Sequence, residues 1–153
     1  MLRAQQEVIG RRVTRRVIFL DIDGVLAPIR RWDRYGDLDP ACIRVLNEIV
    51  AGGGADVVVS STWRHGRTIA ELQDMLQTEG FTGLVVDKTP THMSGASRGD
   101  EIAAWLAEHA VAGYLIIDDH ADMGELRTHL VQTHPAHGLQ PADAPRAIEI
   151  LRR

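Results

Sequence analysis

The sequence has one cysteine, one lysine and few aromatic residues. A single cysteine, Cys42, excludes an intrachain disulfide framework and a cysteine-rich zinc site. No apolar run approaches the roughly 18 residues that a membrane-spanning helix requires. The arginine-rich N-terminus lacks the apolar core of a secretory signal. We therefore expect a soluble, cytoplasmic globular protein with no membrane partner.

The charge of the chain is unevenly distributed. The net charge of -4 argues against indiscriminate binding to nucleic acid, which favours basic chains. Of the 17 basic residues only Lys88 is a lysine, and many of the arginines lie in the first third of the chain. This pattern fits either a biased composition or an arginine cluster that faces phosphate groups. Residues 1–16 are predicted to form a basic N-terminal extension, and 17–153 a single domain.

Short apolar runs alternate with stretches of helical periodicity. The predicted strands are 17–20, 57–59, 84–86 and 114–117, with a short fifth at 130–131. The predicted helices run from Asp39-Pro40 to the glycines at 52–54, and over 69–79, 99–110 and 142–151. This alternation predicts a three-layer α/β fold, with a Rossmann-like parallel sheet covered by helices on both faces.

Polar residues follow the predicted strands, where ligands bind in parallel sheets. They are Asp21, Asp23, Ser60, Ser61, Asp87, Lys88, Asp118 and Asp119. Taken alone, the first acidic pair is also typical of a turn that caps loop amides. Two acidic pairs at one sheet edge repel each other unless a cation neutralises them, and oxygen-only ligation suits Mg²⁺. With the serine hydroxyls and a cation from Lys88 or Arg98, these groups are the parts that hold a phosphoryl group.

These residues resemble the four motifs of the haloacid dehalogenase (HAD)-like phosphohydrolase superfamily. Asp21-Ile22-Asp23-Gly24-Val25 is similar to the first motif, Ser60 or Ser61 to the second, Lys88 or Arg98 to the third and Asp118-Asp119 to the fourth. The resemblance covers roughly 17–151. Three further segments resemble the capless HAD domains associated with RNA repair and the phosphatase half of polynucleotide kinase-phosphatases. They are 60–64, 98–105 and 116–123.

The resemblance implies a mechanism. Asp21 is the implied nucleophile, which forms an aspartyl-phosphate, and Asp23 is the implied general acid and base. Asp21, the backbone carbonyl of Asp23 and Asp118 are the implied ligands of Mg²⁺, with Asp119 close by. Which of Asp118 and Asp119 binds the ion directly stays open. Whether Ser60 or Ser61 binds phosphate stays open, as does the choice between Lys88 and Arg98.

The predicted loops are too short to hold a cap domain, so the implied site is open and favours a large substrate. We expect a terminal phosphate of RNA or DNA, most simply a 3′-phosphate. The candidate substrate contacts are Arg30, Arg31, Trp32, Arg34 and Arg64. The alternatives are a small-metabolite phosphatase covered by homo-oligomerisation, a phosphoprotein phosphatase and a non-catalytic phosphate-binding module.

Overall fold

The computed structural model describes residues 15–33, 36–91 and 95–153. The predicted basic extension therefore lies almost wholly outside the described residues and stays a prediction. The strands are β1 (Arg16–Leu20), β2 (Ala55–Val59), β3 (Val85–Lys88), β4 (Gly113–Asp118) and β5 (Leu130–Gln132). The α-helices are α1 (Pro40–Gly53), α2 (Ile69–Thr78), α3 (Arg98–Glu108) and α4 (Ala144–Leu151). Short 3₁₀ helices cover Thr62–Arg64, Gly124–His129 and Pro141–Asp143.

The strands form one parallel sheet in the order β3-β2-β1-β4-β5. The chain builds outward from β1 through β2 to β3 and then returns to the other side of β1 to form β4 and β5. The direction of winding therefore reverses between β1 and β4. In open parallel sheets, ligands bind beyond the carboxyl ends of the strands at such a reversal.

Each face of the sheet is covered by helices, which confirms the predicted three-layer fold. Ile18 and Leu20 of β1 belong to a core that includes residues of α1, α2 and α4. Val17 and Phe19 alternate with them and pack on the opposite face, against Ile102 and Trp105 of α3. No cap domain is evident in the described part of the chain, and none of its helices is long and apolar enough to cross a membrane.

Most element ends agree with the local signals in the sequence. The Asp39 side chain accepts a hydrogen bond from the backbone N–H of Ala41, and Gly54 ends α1 with φ +62°. The last helix, α4, begins at Ala144, two residues after its predicted start, because Pro141–Asp143 forms a separate 3₁₀ turn before it. The second and third helices end at Thr78 and Glu108, slightly before their predicted ends.

The third strand is displaced from its predicted position over 84–86. Leu84 is 53% exposed, and the strand continues through the polar residues Asp87 and Lys88. Asp87 stays in the strand because its Oδ2 accepts a hydrogen bond from Nε1 of Trp105 at 2.8 Å. Because the apolar run in the sequence ends at Val86, it does not locate the carboxyl end of β3, which lies at Lys88.

The segment after β5 fixes the turn that follows β1. The Thr133 hydroxyl donates to the carbonyl of Gly24 at 2.7 Å, and this bond is buried. The backbone N–H of Leu139 donates to Val25 O at 2.8 Å. Because these contacts join distant parts of the chain, the position of the turn depends on the completed fold.

Thr133→Val tests this connection. The substitution keeps the side-chain shape but leaves the buried Gly24 carbonyl without its donor, so we expect a loss of about 1–3 kcal/mol in the free energy of unfolding. Urea denaturation measures this loss. Thr78→Val is the matched control, because its hydroxyl bonds the carbonyl of Asp74 on an exposed helix surface. Equal effects of the two substitutions would contradict the assigned role of Thr133.

Candidate active site

The sheet register brings three functional side chains to one edge. Leu20, the last residue of β1, pairs with Val59 and with Ile117. The residues that directly follow Leu20, Val59 and Ile117 in the sequence are Asp21, Ser60 and Asp118. The N–H of Asp21 donates to Ile117 O at 3.0 Å, and that of Ser60 donates to Leu20 O at 2.9 Å. The hydrogen bonds of the parallel sheet thus extend past the strand ends to the row formed by Asp21, Ser60 and Asp118.

Strand alternation determines the face on which these side chains lie. The residues two positions earlier in the three strands all pack on the face covered by α3. They are Phe19, Val58 and Ile116. Residues two apart in a strand share a face, so Asp21, Ser60 and Asp118 project toward the same side. The amino end of α3 lies over this row.

Four side chains meet within one small volume. One ligand atom from each of Asp21, Asp118, Asp119 and His120 lies within 4.8 Å of the others. Gly24, with φ +80°, allows the turn after β1 to pass close to this group. A Cβ at Gly24 would stand 2.5 Å from Oδ2 of Asp119, so a side chain there would displace this carboxylate.

Arg98 neutralises part of the acidic cluster. Its Nη1 donates to Oδ2 of Asp118 at 2.7 Å and lies 3.3 Å from Oδ1 of Asp21. Arg98 is the first residue of α3, and Ser97 caps this helix by accepting a hydrogen bond from the N–H of Asp100. The start of α3 therefore determines where the guanidinium enters the site.

Lys88, the alternative to Arg98, does not reach the acids. It is the last residue of β3, and its Nζ donates to the carbonyls of Arg67 at 2.7 Å and Arg64 at 3.4 Å. These bonds hold the ammonium against the backbone after β2. This placement corrects the expectation of Lys88 as an alternative phosphate ligand.

Burial dominates the electrostatics of the three acids. It raises the pKa of Asp21, which the charge of Asp118 raises further and that of Arg98 lowers. Burial also raises the pKa of Asp118, against the lowering effect of Arg98. The pKa of Asp119 is raised by burial and then by its hydrogen bond and charge interaction with Asp21. One guanidinium thus pairs with only two of three crowded carboxyl groups, an arrangement that a further cation would stabilise.

The donor set of this cluster fits Mg²⁺. Asp21, Asp118 and Asp119 offer carboxylate oxygens, which Mg²⁺ prefers, and no soft thiolate ligand is among them. Asp119 Oδ1 is buried and makes no well-directed hydrogen bond, although Nδ1 of His120 lies 3.1 Å from it. A buried oxygen without a donor is suited to accept a metal ion.

Asp23 lies beside the cluster without its side chain joining it. Its backbone pairs with Ala27, and its Oδ1 is buried without a hydrogen-bond partner. Burial raises the pKa of Asp23, a hydrogen bond with the Trp63 side chain lowers it, and the charge of Asp119 raises it. Asp23 therefore places a second buried carboxyl oxygen without a donor next to the acidic cluster.

The two serines after β2 have different partners. Ser61 Oγ accepts a hydrogen bond from the N–H of Trp63 at 3.2 Å and so caps the following 3₁₀ helix. Ser60 Oγ is buried without a partner and belongs to the row that contains Asp21. The geometry therefore favours Ser60 as the hydroxyl that is free to bind a ligand.

Two residues at this edge were not among the predicted site residues. The hydroxyl of Thr89 is buried and unpartnered, and the N–H of Thr89 donates to Val59 O. The sequence did not indicate Thr89, because the apolar run that predicted β3 ends three residues before it. The side chain of His120 is 70% exposed, yet its Nδ1 lies 3.4 Å from Oδ1 of Asp118. Its place next to the acidic pair in the sequence was the available signal.

The predicted substrate contacts are found in different environments. Arg30 and Arg31 are exposed and form ion pairs with Asp39 and Asp33. Trp32 is 98% exposed, whereas Arg34 lies outside the described residues.

Arg64 is a correction to the predicted set of contacts. Its side chain is buried and is bonded to backbone carbonyls and to Glu101. These bonds occupy the guanidinium, so it is not available to contact a substrate.

Asp119→Asn tests the electrostatics of the cluster. The folded state raises the pKa of Asp119 above its ordinary value of 3.8, so ionising this group costs stability as the pH rises through the folded-state pKa. In the presence of a chelator we therefore expect the variant to be more stable than wild type at pH ~7, with the difference vanishing at acid pH, where Asp119 is neutral in both states.

Thermal denaturation across pH measures this effect, with exposed Asp74→Asn as control. Added Mg²⁺ should raise the melting temperature of the wild type more than that of Asp119→Asn, because the variant lacks one anionic oxygen ligand. A variant that is less stable without metal, or that responds fully to Mg²⁺, would contradict this account.

The comparisons with known proteins agree with this geometry. No curated protein matches the sequence. Residues 17–144 match the family described as "HAD domain in Swiss Army Knife RNA repair proteins". The matched region contains the acidic cluster, Ser60 and Arg98, and it confirms the resemblance noted from the motifs. The chain belongs to this family of HAD domains, and its membership supports a phosphohydrolase role.

Proposed function

We propose that this protein is a Mg²⁺-dependent phosphomonoester hydrolase that removes a terminal phosphate from nucleic acid, with a 3′-phosphate as the preferred substrate. The main supporting observation is that Asp21 and Asp118, far apart in the sequence, share the Arg98 guanidinium at the carboxyl ends of β1 and β4. Family membership supports the reaction class, and the acidic cluster supports a metal site.

The proposed reaction begins at Asp21. Its carboxylate oxygen attacks the phosphorus, a P–O bond forms, and the P–O bond to the leaving group breaks. Arg98 and the Ser60 hydroxyl bind the phosphoryl oxygens, and Arg98 compensates the charge that accumulates there. Asp21, Asp118, Asp119 and the Asp23 carbonyl would hold Mg²⁺, which when bound supplies Lewis-acid stabilisation of phosphoryl charge.

Asp23 transfers protons in both halves of the reaction. Its protonated carboxyl group donates to the departing alkoxide, and a raised pKa favours the protonated form that this transfer requires. The resulting carboxylate then accepts a proton from water, which attacks the phosphorus of the aspartyl-phosphate. This attack releases inorganic phosphate and restores the Asp21 carboxylate.

Substitution of the two aspartates tests this chemistry. Asp21→Asn removes the nucleophile, so we expect phosphatase turnover to fall by at least about 10³-fold, while circular dichroism shows an intact fold. Asp23→Asn retains the nucleophile but lacks the acid and base, so turnover slows at both proton transfers. Asp74→Asn is the control for loss of a carboxylate. Substantial turnover by Asp21→Asn would exclude the aspartyl-phosphate.

The nucleic-acid substrate is supported by an exposed surface on the connection between β1 and α1. Trp32 is 98% exposed, and its neighbours Arg30 and Arg31 form only exposed ion pairs, which are weak and easily exchanged for phosphate. Trp32 lies five positions after Ala27, whose carbonyl accepts a hydrogen bond from the N–H of Gly24, so the Cα atoms of Trp32 and Ala27 are at most about 18 Å apart. The tryptophan ring can stack on a base next to the terminal phosphate.

The specificity test compares oligonucleotides carrying a 3′- or 5′-phosphate with sugar phosphates, a phosphopeptide and p-nitrophenyl phosphate. We expect the highest kcat/KM on the 3′-phosphorylated oligonucleotide. Trp32→Ala should raise KM for oligonucleotides by about 5- to 150-fold, the value of one base stack, and leave p-nitrophenyl phosphate hydrolysis unchanged.

Leu84→Ala is the matched control, because Leu84 is the other large hydrophobic side chain found exposed in the described residues. Equal or better turnover of the small esters would exclude the nucleic-acid substrate but leave the phosphatase chemistry standing. A preference for the phosphopeptide would identify a phosphoprotein phosphatase instead.

A further inference from the structure

Arg64 is the largest fully buried side chain in the described part of the chain, with 1% exposure. It ends the 3₁₀ helix that follows β2. Its Nη1 donates to the carbonyls of Ser60 at 2.8 Å and Ser61 at 2.9 Å. Its Nε donates to Thr89 O at 3.0 Å, and its Nη2 donates to Pro90 O at 3.2 Å. A buried guanidinium thus binds the backbone that leaves two neighbouring strands.

The same guanidinium also binds α3. Its Nη2 donates to Oε2 of Glu101 at 2.8 Å, and the Arg64 side chain in this ion pair is only 2% exposed. Glu101 lies one turn after Arg98 in α3. The planar guanidinium offers its N–H groups in fixed directions, so it holds the ends of β2 and β3 and the first turn of α3 in one arrangement.

Glu101 stands between two guanidinium groups. While Oε2 accepts from Arg64, Oε1 lies 4.0 Å from Nε of Arg98. Arg98 in turn donates to Asp118 and lies 3.3 Å from Asp21. Charges therefore alternate from Arg64 through Glu101 and Arg98 to the acidic cluster. Without Glu101, the two arginines would repel each other across the start of α3.

We propose that Arg64 and Glu101 are positioning residues of the active site: Arg64 holds the backbone that carries the Ser60 hydroxyl, and Glu101 directs Arg98 toward Asp21 and Asp118. This inference rests on the proposed phosphatase function. Neither residue touches the substrate. Arg64 acts through Ser60, and Glu101 acts through Arg98, so each affects phosphoryl transfer by way of a group that binds phosphate.

The alternative is that Arg64 only satisfies buried carbonyls and contributes to stability. The two roles differ in what a conservative substitution changes. Arg64→Lys keeps the positive charge, but a single ammonium cannot reproduce the several directions of the guanidinium N–H groups. Glu101→Gln keeps the size and one oxygen acceptor but removes the charge between the two arginines. A positioning role predicts a loss of turnover in variants that remain folded.

The experiment measures kcat, KM, inhibition by inorganic phosphate and melting temperature for Arg64→Lys and Glu101→Gln in the presence of Mg²⁺. We expect kcat to fall by about 10- to 100-fold, the usual effect of losing a residue that orients an active-site group. Phosphate inhibition should weaken in parallel, because Ser60 and Arg98 bind the product as well as the substrate. Arg15→Lys and Asp56→Asn are the matched controls, since this ion pair of 3.3 Å lies at the opposite end of the sheet.

Double variants separate positioning from stability. If Glu101 acts through Arg98, Glu101→Gln adds little to the kcat loss caused by Arg98→Lys. If Arg64 acts through Ser60, Arg64→Lys adds little to the loss caused by Ser60→Ala. A residue that only stabilises the fold would give losses that multiply in each pair. If Arg64→Lys does not fold, Glu101→Gln and its double variant with Arg98→Lys still test whether Glu101 acts through Arg98.

The outcomes are distinct for each level of the proposal. Wild-type protein that hydrolyses none of the phosphate esters overturns the proposed function and this inference with it. Active wild-type protein together with unchanged kcat in both single variants overturns the inference alone. Losses that multiply in the double variants, or that follow the fraction of unfolded protein, also overturn it. Reduced kcat and weaker phosphate inhibition, without multiplication in the double variants, support it.

Discussion

The concentration of negative charge at the carboxyl ends of β1 and β4 is the physical constraint on which this site depends. Asp21 and Asp118 are almost completely buried. Asp119, the residue after Asp118, has a carboxylate oxygen within 4.8 Å of theirs. Burial removes the water that would otherwise solvate these carboxylates and raises the pKa of all three. The fold tolerates this cost because the start of α3 brings one guanidinium, that of Arg98, between two of the acids.

Several features of the fold keep this charged edge in place. Gly24 lets the turn after β1 pass against Asp119, and the Thr133 hydroxyl holds the carbonyl of this turn. On the other side, Arg64 binds the backbone after β2 and β3. These contacts are made by different segments of the chain, so they become effective together only in the folded protein. Fixed donors of this kind are what the proposed phosphoryl transfer requires.

No cap domain is evident in the described residues, and the connection between β1 and α1 carries the exposed Trp32. An uncapped site has few contacts to offer a small ester, whereas a polymer brings further phosphates and bases that can bind outside the reaction centre. In the proposed function, the sheet edge therefore carries out the chemistry and the connection between β1 and α1 contributes to substrate specificity.

Local signals predicted the position of the site better than its internal contacts. The apolar runs of β1 and β4 ended directly before Asp21 and Asp118, so the rule for parallel sheets located both acids. The same reasoning placed the end of β3 too early, because a partly buried hydrogen bond to Trp105 keeps Asp87 in the strand. Arg64 was mistaken for a substrate contact because its sequence neighbours are typical of a surface loop, although its side chain is directed into the protein.

The amino-acid sequence by itself determined the alternation of strands and helices, the parallel sheet and the two acidic pairs that follow strands. These features depend on periodicity and on residues that are adjacent in the chain. Tertiary structure alone decided that Arg98 and not Lys88 meets the acids, that Ser60 and not Ser61 keeps a free hydroxyl, and that Arg64 is buried. Strand register places Ser60 and Asp118 beside Asp21. The carbonyls that hold Lys88 and Arg64 include those of Arg67, Thr89 and Pro90, which lie far from them in the sequence, so no local pattern records these contacts.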